Sequence, residues 1–306
     1  AEQQSGKSQR ALESFSQIVD QFPKAPERGT AIYRVALLQG EFKKYAAMRA
    51  AFQQLMREYP RSKFAQDAGY WTGWSFFEEK KYAEALPLLL QARKADAAVY
   101  GPQTTSRIIL ANYYLKQRAD LLKEVDALPA NAAPLAAEIH DWLATQSAAA
   151  GDHAAAERHY RKLIAHPSAA VWKQSARWGL AKSLAAQSKW KEAIEVWEAY
   201  QKDYTTPADS IAAKLELIRA YASARDYARS EAIAEEVMRL QPEGGNNAKA
   251  RFLLGEILAE QKKFADAGKY FLSVVLLFED PDLTPRSLSR AIQAFESAGE
   301  TNQVVR

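Results

Sequence analysis

A helical hairpin recurs along this chain, and its clearest copy spans Ala250–Val275. Apolar residues fall three or four positions apart on one face of each half, which is typical of two amphipathic helices joined by a tight polar turn. The small residues Gly255 and Ala267 allow the two helix backbones to approach closely. A lone hairpin cannot bury both of its faces, so this unit requires a neighbouring hairpin on each side.

The spacing between copies is 37 residues over most of the chain. Counted from the small residue of the second helix, the copies lie at Ala11, Met48, Ala85, Ala156, Ala193, Ser230 and Ala267. The ring that precedes this position by three residues recurs at Tyr45, Tyr82, His153, Trp190, Tyr227 and Phe264. One interval, from Ala85 to Ala156, measures 71 residues, which fits one unit of 37 and one of 34. The spacing predicts an all-α chain of about sixteen helices in about eight repeats.

The order of a small residue, an aromatic residue, a buried alanine, a second aromatic residue and a proline resembles the tetratricopeptide repeat. The clearest segments are Gly69–Leu89 and Arg177–Tyr200, and the resemblance covers nearly the whole chain. The 37-residue period and the pairs Phe22-Pro23 and Tyr59-Pro60 are similar to repeats of bacterial cell-envelope proteins. Examples are the TolA-binding periplasmic proteins and the lipoprotein of the β-barrel assembly machinery. The resemblance implies a right-handed α-α superhelix.

We expect residues 1–306 to form a single solenoid that is a piece of a longer protein. The first hairpin lacks its first helix, and the last helix, near Leu288–Glu296, lacks its partner. Gly40 is the expected turn of the first complete hairpin. Residues 98–134 form an irregular repeat, whose second helix lacks the aromatic pattern. This repeat is either a degenerate unit or a joint that divides the solenoid into two arms.

Composition restricts the functional classes. The net charge is +4, and acids and bases are interleaved, whereas nucleic-acid binders gather bases on one stripe. The chain has no cysteine, which excludes disulfides, thiolate zinc sites and cysteine nucleophiles. No apolar run approaches the length of about 18 residues that a membrane span requires. We therefore predict no nucleic-acid partner and no direct membrane span.

No catalytic motif is present in the sequence. A nucleophile elbow, a zinc-protease helix, a P-loop and a dinucleotide fingerprint are all missing. All four histidines lie in one repeat, which invites a metal hypothesis, but His153 and His159 are six residues apart and point to different helix faces. His153 also occupies a position held elsewhere by Tyr or Trp. We predict packing histidines, no enzyme activity, no metal and no cofactor.

The resemblance implies that the first helix of each hairpin lines a concave groove that binds a partner. The groove positions it gives are Tyr33, Leu37, Tyr70, Trp74, Phe77, Asn112, Trp178, Lys182, Arg219, Phe252 and Glu256. Tyr70, Trp74 and Phe77 form an aromatic stripe that either anchors a partner or packs against the next first helix. Lys182 and Arg219 share one position in adjacent repeats, so they either bind a single anionic group or are separate solvated cations.

These observations predict a non-catalytic scaffold that binds an extended or helical segment of a partner protein. The resemblance favours the bacterial periplasm or cell envelope, and a cytoplasmic location is the alternative. A second functional hypothesis is an accessory superhelical domain of an enzyme whose catalytic domain lies outside this piece.

Overall fold

The computed structural model of the protein describes residues 2–300. The predicted solenoid of residues 1–306 also includes Ala1 and residues 301–306, which lie outside the described residues. The described residues form sixteen α-helices, one short 3-10 turn and no strand. The number of helices and the fold class, an all-α superhelix of tetratricopeptide-like hairpins, are as the sequence predicts.

The chain divides into two compact units, Ala1–Ala133 and Pro134–Arg306, which we call unit 1 and unit 2. A joint within residues 98–134 stays a prediction. The helices of unit 1 are α1 (Glu2–Gln21), α2 (Arg28–Glu41), α3 (Tyr45–Glu58), α4 (Lys63–Glu78), α5 (Tyr82–Ala95), α6 (Ala97–Tyr114) and α7 (Arg118–Asp126). Those of unit 2 are α8 (Ala137–Ala149), α9 (His153–Ala165), α10 (Lys173–Ala186), α11 (Trp190–Asp203), α12 (Pro207–Ser223), α13 (Tyr227–Leu240), α14 (Gly245–Glu260), α15 (Phe264–Leu277) and α16 (Leu283–Ala298).

The second helices begin at the predicted spacing. Their first residues are Tyr45, Tyr82, Arg118, His153, Trp190, Tyr227 and Phe264. The position three residues later has no exposed surface at Met48, Ala85, Ala156, Ala193, Ser230 and Ala267. The irregular interval divides at Arg118 into steps of 36 and 35 residues, not the expected 37 and 34, because α7 starts one residue early.

The turn inside each hairpin is a left-handed helix cap, and Gly40 is not its left-handed residue. Gly40 is buried inside α2, where an added Cβ would lie 2.8 Å from the Met48 sulfur. Lys43 takes the left-handed conformation instead, with φ of 57°. Its N–H donates to the Gly40 carbonyl at 2.9 Å, and the Lys44 N–H donates to the Gln39 carbonyl at 2.8 Å. These two bonds satisfy carbonyl groups that the helix end leaves free.

The same cap closes every hairpin among the described residues. The left-handed residues are Lys43, Lys80, Lys116, Gly151, Ser188, Arg225 and Lys262. Six of these seven are not glycine, although the left-handed conformation costs an L-residue about 1–2 kcal/mol. Four lysines and one arginine occupy these caps, and a cation at a helix C-terminus interacts favourably with the helix dipole.

Glycine permits the close helix crossings that the sequence predicts. A Cβ atom on Gly255 would lie 2.7 Å from the ring of Phe271, which is 1% exposed. A Cβ atom on Gly179 would meet the Tyr160 ring at 2.2 Å. The close approach of Gly255 to Phe271 joins α14 and α15, the two helices of one hairpin. The close approach of Gly179 to Tyr160 joins α9 and α10, which belong to successive hairpins.

First helices contact one another from repeat to repeat within each unit. In unit 1, α4 contacts both α2 and α6, and in unit 2, α14 contacts both α12 and α16. The second helices pack on these first helices. Each unit therefore presents one face built from successive first helices, which we call its first-helix face.

Candidate partner-binding surfaces

A cavity of about 470 Å³ opens between α2, α3 and α4 of unit 1. It brings together two predicted groove residues, Leu37 and Trp74, with Tyr45 and Trp71, which are not among the predicted groove residues. The Trp74 ring lies 5.7 Å from the Tyr45 ring and 5.7 Å from the Trp71 ring, and the planes cross at 76° and 78°. We call this cavity, defined by Leu37, Tyr45, Trp71 and Trp74, the aromatic pocket.

Tyr33 and Phe77 lie half-buried elsewhere in unit 1. Tyr33 stacks on Phe64 with ring centres 4.6 Å apart. Its hydroxyl donates to Asp67 at 3.5 Å, and burial raises the pKa of Tyr33. Phe77 packs edge-on against Tyr82 at 5.4 Å. These contacts are mainly between helices, so both rings contribute to packing in addition to any surface role.

Three predicted groove residues have almost no exposed surface. Tyr70 is 5% exposed and stacks on Tyr100 at 5.5 Å, and burial raises its pKa. Asn112 is 2% exposed and donates to the Ile108 carbonyl one turn earlier at 3.0 Å. Phe252 is 4% exposed. Adjacent helices cover all three side chains, and Tyr70 takes the second of the two predicted alternatives, since Tyr100 lies on the next first helix, α6.

Unit 2 carries a longer cleft on its first-helix face. Two neighbouring cavities, of about 430 and 440 Å³, share the lining residues Glu256 and Glu260 on α14. We call these two cavities together the charged cleft. Its lining residues include Lys182, Ala185, Trp190, Glu216, Ile218, Arg219, Ala222, Ser223, Leu253, Glu256, Ala259, Glu260, Phe264, Arg290 and Ser297.

Oppositely charged side chains alternate along this cleft. Glu216 on α12 lies between two predicted groove cations, 3.9 Å from Lys182 Nζ and 3.4 Å from Arg219 Nη1. Farther along, Arg290 Nη2 on α16 lies 3.7 Å from Glu256 Oε1 on α14. Lys182 and Arg219 therefore flank a carboxylate and do not form an unopposed anion site, although both side chains remain more than half exposed.

Glu256 occupies the junction of the two cavities. Burial raises the pKa of its carboxyl group, while the charges of Arg290, Arg286 and Arg219 act in the opposite direction. Glu256 is therefore a partly desolvated carboxylate with one guanidinium group, that of Arg290, within ion-pair distance.

Trp178, another predicted groove residue, is half-buried. Its ring packs edge-on against Trp197 at 4.3 Å and Tyr200 at 5.3 Å. It also lines a cavity of about 300 Å³ that includes Glu216 and Arg219. Trp178 therefore lies beside the charged cleft, one helical turn before Lys182 on α10.

Alanines that recur every 37 residues line the charged cleft, and this pattern could have predicted its floor. Ala185, Ala222 and Ala259 recur every 37 residues, and each follows a charged groove position by three residues. All three are half-buried and line the cleft. Small side chains at the end of successive first helices leave the space that a partner segment could fill.

The histidine cluster forms a buried pair between α8 and α9. The Nδ1 atoms of His140 and His159 are 3.1 Å apart, so one ring donates to the other. Burial lowers the pKa of His140 to about 4 and that of His159 to about 3, and His140 adds to the shift of His159. Within residues 2–300, no three His, Cys, Asp or Glu side chains converge to hold a metal ion. A bilayer-spanning helix is likewise absent from the described residues.

The repeated hairpins and the two first-helix faces define a tetratricopeptide-like superhelix. Residues 30–62 match the family model described as a tetratricopeptide repeat. Residues 172–303 match the model YfiO, described as outer membrane lipoprotein, and this match contains the entire charged cleft. No curated protein matches the chain in sequence.

Several solved structures align with this chain at low sequence identity. A chain in the structure of Naa15/Naa10 bound to HypK-THB is 17% identical with a TM-score of 0.54, and the match covers 88% of this chain and 39% of that one. A tetratricopeptide repeat protein from Parabacteroides merdae is 14% identical, with coverage of 86% and 98% and a TM-score of 0.39. The pilF protein of Pseudomonas aeruginosa is 15% identical, with coverage of 79% and 87% and a TM-score of 0.43.

Proposed function

We propose that this protein is a non-catalytic scaffold that holds a segment of a partner protein in the charged cleft of unit 2. The observation that supports this most is that two neighbouring cavities share Glu256 and Glu260, so that concave surface follows α10, α12, α14 and α16 in turn. A row of neighbouring cavities suits a polypeptide segment better than a compact small molecule.

The chemistry of the cleft indicates how such a segment is held. Alanines form the floor, and the rings of Trp190 and Phe264 stand at the start of second helices beside it. Apolar side chains of the partner would bury against these surfaces, which supplies most of the affinity. The alternating charges of Glu216, Arg219 and Glu256 would fix orientation and register.

We further propose that the protein works in a bacterial cell envelope. The support is that residues 172–303 match an outer membrane lipoprotein family. Fractionation of cells that express the full gene product, with the outer membrane separated from the other fractions, tests the location. Recovery in the cytosolic fraction would contradict it.

Site-specific photo-crosslinking tests the binding surface. A photoreactive amino acid in place of Ser223 lies in the cleft, whereas the same amino acid in place of the exposed Lys202 lies at the end of α11. We expect a specific crosslinked partner from position 223 and not from position 202. The crosslinked peptide identifies the partner segment, which can then be synthesised.

Charge reversal then measures the contribution of the cleft. Arg219→Glu and the control Lys202→Glu change the net charge equally, and both side chains are exposed. We expect Arg219→Glu to weaken binding of the identified peptide about tenfold, which is 1.4 kcal/mol. Equal affinities for the two variants, with unchanged melting temperatures, would show that the partner binds elsewhere.

Neither the charged cleft nor the aromatic pocket contains a nucleophile hydrogen-bonded to a base, so we propose no catalytic step for the described residues. The alternative, an accessory domain of an enzyme, stays open as a prediction about the remainder of the gene product. The crosslinking experiment bears on it, because a substrate-like carbohydrate or cell-wall fragment at position 223 would favour the enzyme hypothesis.

A further inference from the structure

The aromatic pocket of unit 1 has an electrostatic character that its rings alone do not indicate. Glu41 and Glu78 line it together with the rings, and they occupy equivalent positions 37 residues apart at the ends of α2 and α4. Both carboxylates are exposed. Lys43 also lines the pocket, so the formal charges of the lining sum to −1.

The two carboxylates retain capacity to accept further hydrogen bonds. Glu41 accepts from the Ser8 hydroxyl at 3.1 Å, and Glu78 has the Arg107 guanidinium 3.9 Å away. A carboxylate offers about four lone-pair sites, so these contacts do not exhaust either group. Burial, together with the charges of Glu78 and Glu79, also raises the pKa of Tyr45 at the edge of the pocket.

The rings provide a second kind of attraction for a cation. Tyr45 and Trp71 are each nearly perpendicular to Trp74, so the wall presents aromatic surface in more than one direction. Cations bind favourably over aromatic faces, most strongly over tryptophan. An aliphatic stem would contact Leu37, which lines the same cavity. Rings, an apolar floor and carboxylates at the rim together match a long side chain that ends in a positive charge.

From this geometry we propose that the aromatic pocket binds a lysine or arginine side chain of a partner polypeptide. The proposal does not depend on the charged cleft of unit 2, and it assigns unit 1 a ligand of its own. Failure of the Ser223 crosslinking or of Arg219→Glu leaves it unaffected.

Indole NMR signals provide a direct test in the intact chain. The protein contains seven tryptophans, so selective ¹⁵N-tryptophan labelling gives few signals, and Trp71→Phe, Trp74→Phe and Trp178→Phe variants assign three of them. The probe is N-acetyl-arginine amide, and its matched control is N-acetyl-citrulline amide, which has nearly the same shape without the charge. We expect saturable shifts of the Trp71 and Trp74 signals with the arginine probe, and binding of the citrulline probe about tenfold weaker. The Trp178 signal of unit 2 should not move at the same concentrations.

Variants with opposite expected effects on affinity distinguish a change in binding from a folding defect. Glu41→Gln combined with Glu78→Gln removes two exposed charges and should weaken the arginine probe about threefold to tenfold. Lys43→Asn removes the opposing cation at a position where asparagine tolerates the left-handed conformation, and it should strengthen binding about twofold. Equal binding of citrulline, an unchanged affinity in both variants, or equal shifts at Trp178 would each overturn the proposal.

Discussion

Arg93 and Glu124 form two parallel hydrogen bonds, from Nη1 to Oε2 at 2.6 Å and from Nη2 to Oε1 at 2.7 Å. The pair connects α5 with α7, the short second helix of the irregular repeat. The Glu124 carboxylate raises the pKa of Arg93 by accepting these bonds. Since α7 buries only Leu121 and Val125, this ion pair supplements a small apolar contact.

Loss of this pair should loosen the end of unit 1. We expect Glu124→Gln to lower the free energy of unfolding by about 1–2 kcal/mol, because a partly buried, charge-assisted bidentate contact is replaced by neutral hydrogen bonds. Cleavage by a protease within residues 127–134 should become faster, since local opening of α7 precedes it. Chemical denaturation and limited proteolysis measure the two effects. Glu78→Gln is the control, because its partner Arg107 lies 3.9 Å away; equal effects of the two substitutions would contradict the assigned role.

Two glycine-to-alanine substitutions should act in opposite directions. Gly255→Ala places a Cβ atom against the buried Phe271 ring, which has no room to move, and should cost about 1–3 kcal/mol. Gly69→Ala meets nothing within 4 Å inside α4 and should stabilise the protein by up to about 1 kcal/mol through helix propensity. Urea denaturation of both variants measures the difference. A stabilising Gly255→Ala would mean that α14 and α15 cross less closely than the structure indicates.

The left-handed caps provide a further stability test. Lys80 has φ of 60°, so Lys80→Gly should relieve backbone strain and stabilise unit 1 by about 0.5–1 kcal/mol after the entropy cost of glycine. Gly151, with φ of 77°, is the one glycine among the hairpin caps of the described residues, and Gly151→Ala should destabilise by about 1 kcal/mol. Thermal or chemical denaturation detects both changes. The expectation fails if Lys80→Gly destabilises, which would show that the lysine side chain compensates for the strain.

The buried histidine pair predicts an acid-sensitive unit 2. The folded protein holds both rings neutral, whereas the unfolded chain protonates them near the ordinary pKa of about 6.5. The unfolded state therefore binds more protons as pH falls below about 6.5, and stability declines toward the folded-state values of about 4 for His140 and about 3 for His159. The slope should approach about 1.4 kcal/mol per pH unit for each histidine.

Denaturation at pH 6.5 and 4.5 measures this decline. The double substitution His140→Leu with His159→Leu removes both titrating rings and should make stability nearly independent of pH over this range, apart from the carboxylates. The control is Leu143→Ala, which makes a cavity at a fully buried position of α8 but removes no titrating ring, and it should keep the wild-type pH dependence. An equal decline in the double variant would show that other groups cause the acid sensitivity.

The hairpins could be predicted from sequence because their spacing is set by short-range helix geometry. The exposure of first-helix side chains could not be predicted, because it depends on how many other helices surround each first helix. Phe252 lies on α14, which contacts α12, α13, α15 and α16, so almost every face of that helix is covered. The same arrangement buries Tyr70 on α4. A helical stripe alone does not distinguish a surface anchor from a contact with the next repeat.

Contacts between separate helices were also beyond the sequence. His140 and His159 are 19 residues apart on two helices, and only their crossing brings the rings together. The caps were missed for a different reason: lysine at a left-handed position carries no glycine signal. The pocket residues Tyr45 and Trp71 were overlooked because one begins a second helix and the other neighbours the selected stripe.

The uniform caps have a consequence for where this chain can change length. Each hairpin turn spans three residues, as in 42–44 or 187–189, whereas the connections between hairpins range from Asp96 alone to residues 127–136. One residue inserted in a turn would rotate the following helix by about 100° and carry its buried stripe away from its partner. The same insertion in a connection between hairpins would lengthen the loop without rotating the following helix. Peptide tags and loop grafts therefore belong between hairpins, where added residues leave the buried stripe of each helix facing its partner.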